Sequence, residues 1–434
     1  MTRKKIDVVS LGCSKNLVDS ERLLSMLDAV GMDARIADSP SQRADVAVIN
    51  TCGFIGDAKE ESINTILEAI QTKQAGKLKH IYVMGCLSER YLDELKQELP
   101  EVDGWYGKFD WPAIATTLAH TYPATAPYDR VITTPRHHAY LKISEGCNRF
   151  CAFCAIPIIT GRHKSRTIAD IEDETRRLVD RGVREFNIIA QDLSSYGMDL
   201  PGNAQRLPEL VDRLADIPGV DWLRLHYAYP AQFPMEIMDV MASRPNVCNY
   251  LDIALQHIAD PVLTGMRRHI TADQTRQLIA DMRARVPQLH LRTTLMVGFP
   301  GEGDKEFDEL MKFVEETRFE RMGAFAYCEE DDTWAARNLP DTIPAEVKQE
   351  RLDTLMSLQE RISADIQDSK VGTTLKVIID REEPDYFVGR TEWDSPEVDP
   401  EVLITKEKPL KKGEFYNVHI DGAMPFELTG HVTD

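Results

Sequence analysis

Short apolar runs alternate with amphipathic segments in the N-terminal part of the chain. The apolar runs read IDVVSLG, VAVINT and IYVMG, and each has the length of a strand. The segments that follow them carry apolar positions at helical spacing, at about Asn16–Val30, Glu61–Ile70 and Ser88–Leu99. Strands that alternate with helices in this way predict an α/β domain with a parallel sheet and right-handed crossovers.

The same alternation returns in the middle of the chain. Six apolar runs have the length of strands there, namely Ala139–Ile143, Glu185–Ala190, Trp222–Leu225, Leu251–Leu255, Leu291–Val297 and Gly323–Tyr327. Helical patterns such as Ile168–Arg181 and Asp304–Thr317 lie between them. Six strand–helix units are two fewer than a closed eight-stranded barrel needs.

The pattern changes towards the C-terminus. A charged segment from Pro344 to Lys370 has a single apolar stripe, which predicts a connecting helix. After it come five short β patterns separated by Gly and Pro: TLKVIID, YFVGRT, EVLIT, YNVHI and ELTGHV. They predict a small antiparallel β-barrel of the oligonucleotide-binding type.

Prolines mark the joint between the first two regions. Pro123, Pro127 and Pro135 lie in a stretch with little periodicity, which is typical of a linker. We therefore expect four parts, which are an N-terminal sheet domain (1–120), a linker (121–136), a central domain (137–365) and a C-terminal barrel (366–434).

Length, charge and cysteine content restrict the class of protein. A chain of 434 residues is too long for a single core. Its formal net charge of -20 argues against broad nucleic-acid binding, because Lys and Arg are needed to neutralise phosphates. Neither a secretory signal nor an apolar stretch of about 18 residues is present. Eight cysteines in such a chain indicate a reducing cytosol and metal ligation rather than disulfides.

Three of the cysteines lie close together in the run SEGCNRFCAFC. Cys147, Cys151 and Cys154 have the spacing C-x3-C-x2-C, and their thiolates can hold three irons of a four-iron cluster. No fourth Cys follows nearby, so the fourth iron would be open to a substrate or cofactor. A zinc knuckle or three buried thiols is the alternative, although zinc sites favour four ligands in paired C-x2-C arrangements.

Three other cysteines follow the predicted N-terminal strands. Cys13, Cys52 and Cys86 each come just after the carboxyl end of one strand, where open α/β sheets build their ligand sites. We expect them to meet at one edge of the sheet. Spacing alone leaves a three-cysteine zinc site or unrelated buried thiols open. Cys248 and Cys328 have no such context and are expected to be incidental thiols.

These motifs resemble a known family. The C-x3-C-x2-C run with Phe153 before its last Cys is similar to the signature of radical S-adenosylmethionine enzymes. AYLKISEGCNRFCAFCAIP resembles their methylthiotransferase branch, and SLGCSKNLVDSE, NTCGFI and MGCLSER resemble the cysteine motifs of its N-terminal domain. The resemblance covers essentially the whole chain. It implies a central partial barrel of six βα units and a TRAM-like C-terminal module.

The resemblance also implies the cofactors, which are two [4Fe–4S] clusters and S-adenosylmethionine. Cys147, Cys151 and Cys154 would hold the cluster that cleaves S-adenosylmethionine to a radical. The N-terminal cysteines would hold an auxiliary cluster that delivers sulfur. The implied contacts for S-adenosylmethionine are Phe153, Gln191, His257, Arg292, Gly298, Gly301 and Glu302. No catalytic residue is expected beyond the cluster ligands.

Two substrate classes occur in such a family, namely adenosine in transfer RNA and an aspartate of ribosomal protein uS12. Residues 370–434 contain eight basic and fourteen acidic residues, a net charge of -6. Such a module repels phosphates and attracts a basic protein. The motifs also resemble the ribosomal-protein branch more closely, so we expect uS12 as partner, without tRNA. Asp394, Glu397, Asp399 and Glu401 are the expected docking acids.

The expected reaction therefore attaches a methylthio group to the β-carbon of the uS12 aspartate. One S-adenosylmethionine would supply the methyl group and a second would supply the radical. A flavodoxin- or ferredoxin-type electron donor and a sulfur source are expected as further partners, in the cytoplasm. Methylthiolation of tRNA adenosine and a non-catalytic iron–sulfur electron carrier stay open as alternatives.

Overall fold

The computed structural model describes residues 4–40, 44–126 and 128–433, so the predicted linker residue Pro127 lies outside the described residues. The chain forms two bodies built on parallel sheets and one built on a closed barrel. Within the described ranges, no helix combines the length and the apolar character that crossing a bilayer requires.

The N-terminal body is the predicted parallel sheet with helices. Its strands are β1 Lys5–Ser10, β2 Asp33–Ile36, β3 Val46–Thr51, β4 His80–Gly85 and β5 Gly104–Trp105. Its helices are α1 Ser14–Ala29, α2 Gly56–Gln74, α3 Cys86–Arg90, α4 Leu92–Glu98 and α5 Trp111–Ala119. All strand pairs are parallel, in the order β2-β1-β3-β4-β5. Because helices cover both faces of the sheet, β3 is buried along its whole length.

The sequence pattern does not predict β2, β5 or α5, which are short. The helix predicted over Ser88–Leu99 is in fact two helices, α3 and α4. They are separated at Tyr91, whose φ of -124° and ψ of 33° are not helical. The Tyr91 hydroxyl donates a hydrogen bond to Asp331 at 3.0 Å, so a contact with the central body accompanies the break.

The central body contains the six predicted strands and one short additional pair. Its strands are β6 His138–Lys142, β7 Ser144–Glu145, β8 Lys164–Ser165, β9 Glu185–Ile189, β10 Trp222–Ala228, β11 Val247–Ile253, β12 His290–Val297 and β13 Arg321–Ala326. The main sheet is parallel in the order β13-β12-β11-β10-β9-β6, and β7 pairs with β8. Among the described residues β6 and β13 do not pair with each other, so this is an open, partial barrel.

Helices follow the central strands. They are α6 Ile156–Ile159, α7 Ile168–Asp180, α8 Leu207–Ala215, α9 Glu236–Ser243, α10 Asp260–Gly265, α11 Ala272–Arg285, α12 Asp304–Thr317, α13 Trp334–Asn338 and α14 Ala345–Asp368. One large apolar core joins the strands to these helices. The last of them, α14, is the predicted connecting helix and runs across the domain boundary expected at residue 365.

The N-terminal body covers the mouth of the partial barrel, which we define as the carboxyl ends of the central strands. At one edge Val18 of α1 packs against Tyr140 of β6 and Ile189 of β9. At the other edge Arg90 and Glu330, which follows β13, form an ion pair at 2.9 Å. The N-terminal body therefore spans the gap between the two unpaired edge strands.

The predicted linker is tied down in its second half. The Arg130 guanidinium is buried and ion-paired with Glu21 of α1 at 2.5 Å and with Glu174 of α7 at 2.7 Å. It also donates to the carbonyl of Tyr140. Because Arg130 joins both bodies, this segment is part of their interface rather than a free tether.

The C-terminal body is the predicted closed barrel. Its strands are β14 Thr374–Glu382, β15 Tyr386–Thr391, β16 Glu401–Thr405, β17 Phe415–Met424 and β18 Glu427–Val432. They close in the order β14-β15-β16-β18-β17. Four of the pairs are antiparallel, while β16 and β18 pair in parallel and complete the circle.

This barrel covers the base of the central body, which we define as the amino ends of the central strands. Trp222 begins β10, and its ring packs edge-on against Phe415 with centroids 4.8 Å apart. His290 begins β12 and stacks on Trp393 at 4.4 Å. The two outer bodies therefore dock on opposite ends of the same sheet.

The expected docking acids of the C-terminal barrel are mostly engaged within the protein. Asp394 is buried and paired with Arg321 at 2.5 Å, and Asp399 is paired with Arg292 at 2.6 Å. Glu401 pairs with Arg381 on the surface. The prediction of a free acidic surface is wrong for Asp394 and Asp399, because charge counted along a sequence does not show which carboxylates face a neighbouring domain, whereas Glu397 is exposed.

Candidate iron–sulfur and cofactor site

The strand register of the N-terminal sheet brings Cys13, Cys52 and Cys86 to one edge. Thr51 pairs with Gly85, so the cysteines that directly follow these residues are neighbours. β1 lies on the other side of β3, and Cys13 forms the N-cap of α1 three residues after β1. The thiols are close enough to influence one another electrostatically.

Close packing at this edge requires glycine at position 12. Gly12 has a φ of 85°, and a Cβ atom there would lie 2.7 Å from the Cβ and 2.8 Å from the Sγ of Cys52. The SLGC turn therefore brings its backbone against the second cysteine.

A buried polar group supports this triad from behind. The Asn16 amide donates to the carbonyls of Leu11 and Thr51, at 3.1 and 3.0 Å. Its Oδ1 lies 3.6 Å from the Sγ of Cys86 and 3.4 Å from the Nζ of Lys108. Asn16 thus links the turns after β1 and β3 to the third thiol.

The second triad lies on the loop after β7. The N–H of Cys147 donates to the carbonyl of Gly161 at 3.2 Å, and the N–H of Cys154 donates to that of Cys151 at 3.1 Å. Ala152 is held between two further segments, through Met266 and Ala335. Backbone hydrogen bonds therefore fix the loop, and the three thiols interact electrostatically.

Two arginines accompany this loop, and sequence reasoning missed both. Arg268 is buried, and its Nη1 donates to the Sγ of Cys151 at 3.2 Å. Arg149 lies between the first two cysteines and pairs with Asp192 at 2.7 Å. The position of Arg149 inside CNRFC could have indicated its role, whereas Arg268 lies far away along the chain and gave no signal.

The protonation of the thiols follows from burial and charge. Burial raises the pKa of Cys86 and of Cys147 to about 12, and it also raises the pKa of Cys52 and Cys154. Burial acts on Cys13 in the same direction, but Lys15 and Lys108 outweigh it and its pKa is lowered. Because coordination to a metal deprotonates a thiol, cluster binding would release protons at both triads.

The two triads face each other across the domain interface. Cys86 packs against Ala155 and Ile159, directly after the second triad. A buried row of alternating charges also joins them, running from Lys108 through Asp19 and Lys142 to Glu145. No group of three Cys, His, Asp or Glu side chains among the described residues is arranged to ligate a single metal ion. The thiolates of a four-iron cluster each bind a different iron and need not converge on one point.

The predicted contact residue Gln191 and two other residues near the second triad have buried oxygen atoms without a hydrogen-bond partner among the described residues. Gln191 donates to Glu145 at 2.9 Å, while its buried Oε1 has no partner in the described chain. The same is true of one oxygen of Asp192 and of the Oε1 of Gln256. Phe153 packs beside Phe299, with ring centroids 6.3 Å apart. Buried acceptors left open beside three thiols suit a polar cofactor that carries amino groups.

Three residues predicted to contact the cofactor have other partners within the protein, and their contact with it stays a prediction. His257 and Glu302 are fully buried and hydrogen-bonded to each other at 3.1 Å. Glu302 also accepts from the N–H of Gly298 and from Arg351 of α14. Arg292 pairs with Asp399 of the C-terminal barrel. His257 and Glu302 therefore also stabilise the turn beside the site through these hydrogen bonds.

The two glycines of the GFPGE turn differ from each other. Gly298 has a φ of 73°, and a Cβ there would lie 2.4 Å from the Cγ of Lys348, so packing against α14 accounts for this glycine. Nothing lies within 4 Å of the Cβ position at Gly301. A contact between Gly301 and the cofactor stays a prediction.

Three parts of the chain match described families. Residues 5–107 match the uncharacterized protein family UPF0004, residues 141–314 the radical SAM superfamily, and residues 371–433 the TRAM domain. These segments coincide with the N-terminal sheet, most of the partial barrel and the C-terminal barrel.

Solved structures share the fold of most of the chain. The radical S-adenosylmethionine methyltransferase TsrM from Kitasatospora setae has a TM-score of 0.57 and is 15% identical, with 75% of each chain covered. The cobalamin-dependent S-adenosylmethionine radical enzyme OxsB has a TM-score of 0.52 over 83% of this chain and 56% of its own. At such low identities the likeness concerns the fold.

Relatives with curated names align from end to end. The ribosomal protein uS12 methylthiotransferase RimO of Porphyromonas gingivalis is 56% identical over 100% of both chains. The protein of the same name from Phocaeicola vulgatus is 58% identical over 99% of both. With this identity over the full length, the chain belongs to the RimO family of radical S-adenosylmethionine methylthiotransferases.

Proposed function

We propose that the protein attaches a methylthio group to the β-carbon of an aspartate in ribosomal protein uS12. The full-length identity of 56% to 58% with uS12 methylthiotransferases carries this proposal. The target carbon has an unactivated C–H bond, so acid–base chemistry cannot functionalise it and a radical is needed. A site with two facing cysteine triads suits a reaction that needs both a radical and a source of sulfur.

Both triads fit a four-iron cluster by their donor chemistry, since each offers three thiols on rigid turns. Cys147, Cys151 and Cys154 would hold the cluster whose open iron binds S-adenosylmethionine. When bound, that cluster supplies the electron that cleaves S-adenosylmethionine to a 5'-deoxyadenosyl radical. The N-terminal triad would hold the auxiliary cluster, which serves sulfur delivery. The open acceptors of Gln191 and Gln256 favour a cofactor between the triads.

The neighbouring side chains have supporting tasks in this proposal. Arg268 donates to the Sγ of Cys151, and hydrogen bonds to ligand sulfurs are among the factors that set the potential of a cluster. Arg149 holds Asp192 near the loop. Asp19 forms ion pairs with Lys108 of the N-terminal body and with Lys142 of β6. These pairs would hold the two bodies, and with them the two triads, in a fixed relative position.

The remaining partners follow from the chemistry. The substrate would be uS12 in the small ribosomal subunit, which places the reaction in the cytoplasm. Cleavage of S-adenosylmethionine consumes an electron, so a flavodoxin- or ferredoxin-type donor is required. The transferred sulfur must be replaced from a sulfur source. One S-adenosylmethionine would donate the methyl group and another would be consumed as the radical source.

Anaerobic incubation of the reconstituted protein with ribosomes, and separately with tRNA, tests this proposal. Mass spectrometry should show one methylthio group on uS12 and none on tRNA. A methylthiolated tRNA with unmodified uS12 would instead assign the protein to adenosine modification. Failure to form any 5'-deoxyadenosine from S-adenosylmethionine, despite full iron loading, would favour an electron carrier.

A further inference from the structure

Lys15 is a buried cation at the meeting point of the two bodies. It follows Cys13 by two residues in the first turn of α1 and is only 9% exposed. Its neighbours Leu17 and Val18 pack against β6, β9 and Tyr227 of β10. Lys15 thus belongs to the part of α1 that enters the mouth of the partial barrel.

The ammonium group of Lys15 lies over an aromatic ring and has no carboxylate partner among the described residues, although its charge lowers the pKa of the Cys13 thiol. Its Nζ is 3.3 Å from the centroid of the Tyr227 ring. In the described part of the chain, no carboxylate is within ion-pair distance of this Nζ and no acceptor is hydrogen-bonded to it. A buried ammonium without a counter-ion is costly unless a ligand supplies one, and the face of an aromatic ring offsets only part of that cost.

The surroundings show why Lys15 is the available cation. Arg292 is close enough to Asp252 to influence it electrostatically, but it lies nearer the base and is paired with Asp399 at 2.6 Å. Burial raises the pKa of Asp252 to about 6, although the nearby charges of Arg292 and Lys15 act in the opposite direction. One Asp252 oxygen accepts from the N–H of Tyr227 at 3.3 Å. Tyr227 itself has a φ of 66°, an uncommon backbone conformation of the kind found at functional sites.

We propose that Lys15 binds the side-chain carboxylate of the substrate aspartate. This inference rests on the proposed function and names the group that recognises its substrate. A carboxylate on Lys15 would place the adjacent β-carbon close to Cys13, where the auxiliary cluster delivers sulfur. The charge-assisted hydrogen bond would also neutralise the buried ammonium.

The same contact accounts for the choice of substrate class. An adenine base has no carboxylate, so its entry would bury Lys15 without a counter-ion. Sites built to bind a particular polar group reject ligands that lack it, because the buried partner is then left unpaired. Selection against tRNA would therefore come from one ammonium group at the mouth of the barrel, independently of the charge of the C-terminal module.

A cross-comparison of enzyme and substrate variants tests the proposal. Holoenzyme of the wild type and of Lys15→Met is combined with uS12 carrying either the native aspartate or asparagine at the target position. Asparagine keeps the β-carbon and the shape but removes the charge. The dissociation constant of each pair and kcat/KM for methylthio transfer are measured anaerobically, together with the iron content of each preparation.

We expect either change alone to weaken binding about tenfold to a hundredfold, as for loss of a hydrogen bond to a charged group. With the asparagine substrate, Lys15→Met should cause no further loss. Equal losses on both substrates would overturn the proposal, because Lys15 would then act on the cluster or the fold. Equal binding of both substrates by the wild type would also overturn the proposal. This second comparison needs no variant enzyme, so it remains valid even if Lys15→Met assembles poorly.

Lys96→Met is the matched control, since Lys96 is a lysine exposed to solvent on α4. It should leave all four constants unchanged. The proposed function is judged separately, from the wild type and native uS12 alone. If that pair gives no methylthio product, the proposed function fails, whereas normal turnover with an indifferent Lys15→Met refutes only the role of Lys15.

Discussion

The mouth and the base of the partial barrel are both closed by another domain, but their charges are used differently. At the base, Glu185 is fully buried and accepts from Arg390 at 2.7 Å and from Arg224 at 3.1 Å. Asp394 and Asp399 are likewise paired with arginines. Each of these carboxylates therefore has a fixed partner within the chain.

At the mouth, buried ion pairs coexist with groups left open. Asp19 and Glu21 are paired across the interface, as at the base. Yet the ammonium of Lys15 and the buried acceptors of Gln191 and Gln256 lack partners within the described residues. The difference teaches that paired carboxylates mark the docking face at the base, whereas an ammonium and amide oxygens left open beside thiols indicate the face that receives ligands.

We expect the largest effect from removing the thiols at the mouth. Changing Cys13, Cys52 and Cys86 together to Ala should abolish methylthio transfer, because the site that delivers sulfur is gone. Iron should fall from about eight to about four per chain, as expected for loss of one of two four-iron clusters. Iron analysis and mass spectrometry of uS12 provide the measurement.

The second triad supplies the matched comparison. Alanine at Cys147, Cys151 and Cys154 should also halve the iron, but should additionally stop formation of 5'-deoxyadenosine. The N-terminal triad variant should still form it. Methylthio product at the wild-type level without the N-terminal thiols would refute a role of that triad in sulfur transfer.

The next largest effect is expected at the base. Glu185→Gln removes one carboxylate and leaves the buried guanidinium groups of Arg224 and Arg390 without their shared partner. Loss of one side of a buried charge pair costs about 3–5 kcal/mol. We expect the free energy of unfolding to fall by that amount, measured by denaturant titration with the fluorescence of Trp222 and Trp393 at this interface.

An exposed pair gives the control for this variant. Glu209 pairs with Arg206 on the surface of α8, and such a pair contributes less than about 1 kcal/mol. Glu209→Gln should therefore change stability little. If Glu185→Gln were equally mild, the base would not depend on its paired charges.

A smaller effect at the base is the pH dependence of stability that His290 causes. Burial, with the charges of Lys370 and Arg321, lowers the pKa of His290 to about 3, and its Nε2 has no partner within the described chain. An unfolded histidine titrates near 6.5, so below that pH the unfolded state binds a proton that the folded state does not. Stability contributed at this site is therefore lost as pH falls below about 6.5, and the loss levels off near pH 3.

His290→Phe should keep the stack on Trp393 and remove this dependence. Between about pH 7.5 and pH 5.5 the wild type should lose about 1.4 kcal/mol more stability than the variant. Unfolding titrations at the two pH values measure the difference. Identical losses would mean that His290 has the same pKa in the folded protein as in the unfolded chain.

Much of the architecture could be predicted from the sequence, because it depends on local periodicity. The six central strands and the closing barrel follow from apolar runs of strand length. The convergence of Cys13, Cys52 and Cys86 follows from the geometry of parallel strands, whose carboxyl ends share an edge. Short elements such as β2 and β5 were not predicted, because a run of a few residues is too short to show periodicity.

Contacts between distant segments could not be predicted in this way. Arg292 and His257 stand after or within strands at the expected positions, but their partners come from the C-terminal loop and from the turn after β12. The importance of Lys15 likewise depends on Tyr227, which belongs to another domain. A count of acids cannot separate Asp394, which is buried, from an exposed carboxylate.

The anchoring of Arg130 has a consequence for how the molecule responds to cleavage. A cut before Arg130, among the exposed residues near Tyr122, would leave Arg130 on the downstream fragment, still bound to Glu21 of the upstream fragment. The two pieces would copurify, and their triads would stay face to face. The buried ion pairs of Arg130, which act in addition to the covalent chain in the intact protein, would then hold the two fragments together.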